Sequence, residues 1–446
     1  MSRADLAYST AVEAIRSRGR FGISLGLERV TALLAHQGDP HRELHGALVA
    51  GTNGKGSVVA LVRAALGAAG LTVGTMPKPH LVSYRERIAI DGEALTPERF
   101  AAAIGRVLPL ADRVAVSLGS PTEFEVLTAA AFAELAAAGV DLVVVEVGLG
   151  GRLDATNVLD PGVAAITNVQ HDHERHLGRT LAAIGAEKAG IIKPGNLVAT
   201  GASGRGLVPI QERCSALGVP MRRAGRGQAY RAEVRQAGWD GLVVDAVMPG
   251  RDLNGLHIGL LGGHQAANAA VALAVLDALA EDASRRGLAH PVDEAAIRRG
   301  FAAARWPGRL ELLEDQAYGR VLLDGAHNPA GARALAAALA ELGLRRFPLV
   351  LGAMRGKRVT AVLRALAPLR PRPVFTRVAD GDALEPAALL RTWQRVGGGG
   401  SVAPSPAEAL ARAASLRTSA DEPIVVAGSL YLVGAVRGIL TGEVAA

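Results

Sequence analysis

A chain of 446 residues, 49% apolar and 20% charged, has hydrocarbon enough for two or three packed domains, which excludes a disordered protein. Its 49 lysines and arginines exceed 42 acids, for a net charge of +7, yet only 3% of residues are aromatic and the basic residues are spread along the chain. A nucleic-acid partner calls for basic clusters interleaved with stacking rings, so the balance favours an anionic small substrate. No apolar run of about 18 residues lacks a Gly, Pro or charge, and Met1–Asp5 leads into a polar helix without a signal-peptide core. With Cys214 as its one cysteine the chain forms no internal disulfide, so the expectation is a cytoplasmic protein with no membrane partner.

In chain order, short β-branched runs alternate with Ala/Leu-rich helical stretches, which predicts an α/β protein built on mainly parallel sheet. Leu48-Val49-Ala50 reads as a strand ending on a Gly-rich turn, with a helix from about Ser57 to Ala69. Asp141–Val147 is a near-continuous apolar strand, as one covered on both faces must be. Strands at Val163–Thr167 and Leu197–Thr200 flank a helix over Thr180–Ala189. From Met221 to Leu261 short strands and Gly turns predict a small appended sheet, before helices at Gln265–Leu279 and Val292–Ala303. Trp306-Pro307-Gly308 breaks the pattern, and a fresh cycle follows with strands at Val321–Leu323, Leu349–Leu351, Val374–Thr376 and Ile424–Val426. The expected division is 1–304 and 305–446, the second unit smaller and Rossmann-like.

Gly51-Thr52-Asn53-Gly54-Lys55-Gly56-Ser57 sits between strand and helix. Its glycines let backbone amides wrap a phosphate, Lys55 adds a point charge and Ser57 a hydroxyl for Mg²⁺. The spacing is shorter than the common phosphate loop, with a glycine between Lys55 and Ser57. Glu146 ends the buried strand on the side where α/β proteins bind ligands, so it reads as a Mg²⁺ ligand or as a partner of Arg152. His171, His173 and His176 lie among acids; their spacing argues against zinc and leaves open which of them joins a Mg²⁺ site.

Lysine occurs only at Lys55, Lys78, Lys188, Lys193 and Lys357, the other basic residues being arginine. Where arginine supplies the ordinary charge, a retained lysine suggests a need for a compact ammonium or an amine that loses its proton. Lys188, near a helix C-terminus, is either a cation on the helix dipole or an amine carbamylated by CO₂, and Lys193 beside Pro194-Gly195 reads as the former.

Taken together these stretches resemble the folylpolyglutamate synthase/dihydrofolate synthase family, the folate branch of the Mur ligases. The resemblance runs over nearly the whole chain: Val49–Ser57, Glu146–Asn157, Asp172-His173, Glu187–Ile191, Gly263–Ala270, Trp306–Arg309, Asp324–Pro329 and Gly428–Tyr431 match in order. It implies an ATP-dependent ligase with a phosphate-loop first unit and a glutamate-ligase second unit. By resemblance, Thr52, Asn53, Gly54, Lys55, Gly56, Ser57, Asn268, Arg309 and Asp324 hold ATP. Ser57 and Glu146 bind one Mg²⁺, while Glu146, His173 and a carbamylated Lys188 bind a second. Thr122, Phe124 and Ala155 hold the pterin, and His327 and Ser429 lie near the incoming glutamate. Lys55, Lys188 and His327 are the residues expected to carry catalysis.

The resemblance further implies that L-glutamate is joined to dihydropteroate, to reduced folates, or to both; a monomer is the expectation. Members usually carry a small hydroxyl residue before the Pro-His of the loop Thr75–His80. Here Lys78 stands in its place, read as a solvated loop lysine rather than a contact to a glutamate carboxylate. The rival readings are a Mur ligase for a different carboxylate, such as a UDP-sugar acid, and a phosphate-loop ATPase.

Overall fold

The computed structural model describes residues 3–19, 25–288, 292–377 and 382–443, and every absence stated below is among these. Eight strands form the first sheet: β1 (Gly46–Ala50), β2 (Val73–Met76), β3 (Ala89–Ile90), β4 (Glu93–Ala94), β5 (Leu142–Glu146), β6 (Gly162–Ile166), β7 (Leu197–Thr200) and β8 (Met221–Arg223). Their order is β4-β3-β2-β5-β1-β6-β7-β8, parallel from β2 to β8 with an antiparallel hairpin at the β3–β4 edge.

Burial explains why the central strands read as unbroken apolar runs. Leu48 and Ala50 of β1 face one core, while Ala47 and Val49 face another. Helices Lys55–Ala68, Gln265–Arg285 and Glu294–Ala303 cover the second face. The same core receives the inner face of a three-stranded antiparallel sheet, β9 (Arg231–Gly238), β10 (Gly241–Met248) and β11 (Arg251–Ile258).

The appended sheet therefore starts at Arg231, later than the sequence suggests. Met221–Arg223 follows helix Val208–Leu217, a crossover that lays it parallel to β7 as the edge strand of the large sheet. Helices Pro97–Leu118 and Glu123–Ala137 fill a stretch for which the sequence pattern had given no element.

The second unit is a six-stranded sheet in the order β12-β13-β17-β14-β15-β16. Its strands are β12 (Arg309–Asp315), β13 (Gly319–Asp324), β14 (Pro348–Leu351), β15 (Arg372–Phe375), β16 (Ser401–Val402) and β17 (Ile424–Ala427). It opens with an antiparallel hairpin, β12–β13, absent from the sequence reading, and is parallel thereafter. Among the described residues no helix is long and apolar enough to cross a membrane.

Candidate active site

Sheet register builds the site. β1 lies between β5 and β6, with Val49 opposite Glu146 and Ala50 opposite Ile166. The Gly-rich loop leaving β1 is thus flanked by the Glu146 carboxylate on one side and residues 167–170 on the other. The latter brace it: Thr167 Oγ1 donates to the Asn53 carbonyl at 2.6 Å, and Asn168 Oδ1 accepts the Asn53 N–H at 3.0 Å. Gly54 ends the loop at φ 82°, and a β-carbon there would meet Asn268 Oδ1 at 2.2 Å, so only glycine lets helix Lys55–Ala68 start here. Asn268 is buried, its amide donating to Gln265 Oε1 at 2.8 Å.

Lys55 folds back over this loop. Its ammonium donates to the carbonyls of Gly51 (3.2 Å) and Thr52 (3.4 Å) and stands 3.8 Å from Glu146 Oε1. Burial pushes the Lys55 ammonium below its ordinary range and the Glu146 carboxyl above its own, each opposed by the other's charge. The alternative partner for Glu146 fails, because Arg152 pairs with Glu187 at 2.9 Å.

Lys188 lies in the last turn of helix Leu181–Ala189 but is only 3% exposed. Desolvation, then the nearby Lys55 charge, lowers its pKa to about 7, so it is no solvated capping cation. Lys193, by contrast, is a structural tie that donates to Asn157 Oδ1 (2.9 Å) and the Leu159 carbonyl (2.8 Å). His173 is half-exposed in a left-handed backbone position, with burial holding its imidazole below the ordinary value against the pull of Asp172.

Across a cavity of about 830 Å³, lined by both units, stand Arg309, Asp324 and His327. Asp324 is anchored by the N–H groups of Leu310 (3.1 Å) and Ala326 (2.9 Å). Burial raises its carboxyl, Arg309 opposing. His327 Nδ1 is 2.8 Å from the Gly325 carbonyl. A carbonyl only accepts, so Nδ1 carries a proton and Nε2 is the nitrogen left for chemistry.

Sequence reasoning missed the residue that joins the units here. Asp172 accepts Lys357 Nζ (2.8 Å) and Asn328 Nδ2 (3.0 Å) and lies 3.5 Å from His327 Nε2. Asn328 also reaches Asn53 of the Gly-rich loop at 3.1 Å. Burial pushes the Asp172 carboxyl up, but the hydrogen bond and charge of Lys357, with the His327 ring beside it, prevail and hold it well below the carboxylate range. Asp172→Ala deletes the charge-assisted hydrogen bonds from Lys357 and Asn328, and the expected result is a larger radius of gyration by small-angle X-ray scattering with kcat reduced about ten- to hundredfold. An unchanged scattering curve would contradict this latch.

Thr122, Phe124 and Ala155 also line the cavity. The Thr122 hydroxyl is committed to a capping box with Glu125, which Arg29 pairs at 3.0 Å. Lys78 departs from expectation. Its side chain is 5% exposed, 3.8 Å from the centroid of the Phe124 ring and 3.6 Å from Asp154 Oδ1, because the Phe124 helix and the 148–155 turn close over a loop that looks exposed in sequence. Desolvation lowers its pKa to about 8. Ser429 is the one expected site residue that does not line the cavity. Its buried hydroxyl caps helix Leu430–Thr441, and Leu430 and Tyr431 reach the cavity instead.

Among the described residues no three His, Cys, Asp or Glu side chains gather as a metal cluster. The Ser57 hydroxyl, the Glu146 carboxylate, the His173 imidazole and the Lys188 amine, which would offer a carboxylate oxygen if carbamylated, all line the cavity. An oxygen-rich set of this kind fits a hard divalent cation such as Mg²⁺.

A phosphate loop at the C-terminal edge of a parallel sheet, faced by a second α/β unit across a shared cavity, defines a two-unit nucleotide-dependent enzyme. Comparison with known proteins narrows the class. The Mur ligase middle domain matches residues 49–276, and the Mur ligase glutamate ligase domain matches residues 308–430. A Bacillus subtilis dihydrofolate synthase/folylpolyglutamate synthase is 36% identical over 375 residues, covering 81% of this chain and 83% of the relative. Folylpolyglutamate synthase of Lacticaseibacillus casei is 33% identical over 451 residues, covering 98% and 99%. The structure of Mycobacterium tuberculosis folylpolyglutamate synthase complexed with ADP and AMPPCP superposes with a TM-score of 0.88 at 33% identity, covering 98% and 99%. The chain belongs to the Mur ligases, in their folylpolyglutamate synthase/dihydrofolate synthase branch.

Proposed function

We propose that the protein joins L-glutamate to dihydropteroate and to reduced folates, using ATP to activate the acid as an acyl phosphate. The observation that carries this reading is the cavity itself. It is lined by the Gly-rich loop, Glu146, Thr122, Phe124 and Ala155 together with Asp324 and His327.

A carboxylate oxygen does not leave at neutral pH, so the acid first attacks the γ-phosphorus of ATP and ADP departs. The amine of glutamate then attacks the acyl carbon, and inorganic phosphate leaves as the amide forms. Lys55 and the loop amides hold the β- and γ-phosphates, while Asn268, Arg309 and Asp324 hold the nucleoside side. Ser57 and Glu146 would hold one Mg²⁺, and Glu146, His173 and carbamylated Lys188 another. When bound, such ions supply charge against the phosphate oxygens.

His327 Nε2 accepts the proton shed by the attacking amine, and Asp172 stabilises the resulting imidazolium. Contacts between the units exclude water, which protects the acyl phosphate from hydrolysis. A substrate matrix tests the reading. ADP release is expected only with glutamate plus dihydropteroate or tetrahydrofolate, the product gaining one glutamyl residue by mass. Turnover with a UDP-muramoyl acid, or ATP hydrolysis without any amino acid, would favour the rival classes.

A further inference from the structure

Lys78 is not accounted for by the nucleotide chemistry. Its backbone N–H reaches Glu146 Oε2 at 3.3 Å, so the loop starts at the phosphate end of the cavity. The side chain packs against the Phe124 ring and Asp154. Asp154 has no capacity left for a close hydrogen bond to it. Oδ2 accepts the N–H groups of Gly148 (3.0 Å) and Leu149 (2.9 Å), and Oδ1 accepts the Thr156 N–H (3.1 Å) and hydroxyl (2.5 Å). At 3.6 Å the Lys78 ammonium is outside hydrogen-bond reach of Asp154, and its buried Nζ has no hydrogen-bond partner. A buried ammonium with none of its three N–H groups satisfied is costly unless an acceptor arrives with the ligand. Both Lys78 and Phe124 line the cavity into which that ligand comes.

We propose that Lys78 is a specificity-determining residue whose ammonium donates to an oxygen of the acceptor acid other than the carboxylate being activated. The inference rests on the ligase reading above. On the ligase reading the activated carboxylate meets ATP beside Lys55 and Glu146, whereas the Lys78 ammonium packs on Phe124 and Asp154. The oxygen it meets therefore belongs either to the pteridine ring or to a glutamate already attached.

The test measures KM for dihydropteroate and for tetrahydrofolate monoglutamate in the parent and in Lys78→Met, with Lys78→Gln as a second variant should the first not fold. The acid KM is expected to rise about ten- to hundredfold, the loss from one charge-assisted hydrogen bond, while kcat and the KM values for ATP and glutamate stay near parental. Melting temperature should stay near parental, since Asp154 keeps its four hydrogen bonds when the 3.6 Å ion pair is lost. A rise for both acids places the oxygen on the pteridine; a rise for the folate alone places it on the attached glutamate. An unchanged acid KM, equal rises for ATP and glutamate, or a lowered melting temperature with loss on every substrate overturns the proposal. Failure of the parent to release ADP with either acid would instead overturn the ligase reading.

Discussion

Lys188→Arg is expected to lower kcat by about a thousandfold or more while the far-ultraviolet circular dichroism stays parental. The amine is buried, and its pKa of about 7 leaves a large neutral fraction at physiological pH, the form that attacks CO₂. The product is a carbamate, and one proton is released. Carbamylation would turn this amine, close to the Lys55 charge, into an anion on the cavity that Glu146 and His173 also line. Arginine keeps its proton and cannot make this change, so it would place a fixed positive charge where negative charge is needed.

The sign of the pH effect follows. Below pH 7 the folded amine is protonated and the carbamate is lost, so activity should rise with pH through about 7 and rise further with added bicarbonate. Carbon-13 NMR in labelled bicarbonate should show a carbamate resonance in the parent that Lys188→Arg lacks. Near-parental turnover in the variant would remove the carbamate from the mechanism.

Glu146→Gln should reduce kcat by about a hundredfold or more and raise the Mg²⁺ needed for half-maximal ADP release by at least about tenfold. Register with Val49 puts this carboxylate at the mouth of the loop, where its charge balances Lys55. Glutamine preserves shape but not charge, so acid affinity should be nearly unchanged. The two quantities separate by titrating Mg²⁺ at saturating acid, then titrating acid at saturating Mg²⁺. An equal loss of acid affinity would move Glu146 out of the phosphate end of the cavity.

The positions of Lys55, Ser57 and Glu146 were legible because each follows from local pattern: a strand, a turn, a helix start. Lys188 was legible as an unusual lysine, but its burial came only with the fold, and the histidines could not be ranked from their spacing. Asp172 and Lys357 were not legible as a pair, since 185 residues separate them and the contact exists only when the two sheets face each other. Lys78 was misread for a related reason. A loop flanked by prolines looks solvated until Phe124 and Asp154, which come from other parts of the chain, close over it. The β12–β13 hairpin escaped notice because Arg309–Asp315 carries charges at positions that tertiary contacts satisfy, such as Glu311 with Arg437.

The joint at Trp306 bears on how the halves can be recombined. A β-carbon on Gly56 would meet the indole Nε1 of Trp306 at 2.5 Å, so the connector rests directly on the first turn of the phosphate-loop helix. Swapping the C-terminal half for that of a relative at residue 305 would leave this contact to chance. A crossover placed after Gly308 instead hands the indole over with the surface that was shaped for it, and hybrids of that second design are the ones expected to fold with a competent loop.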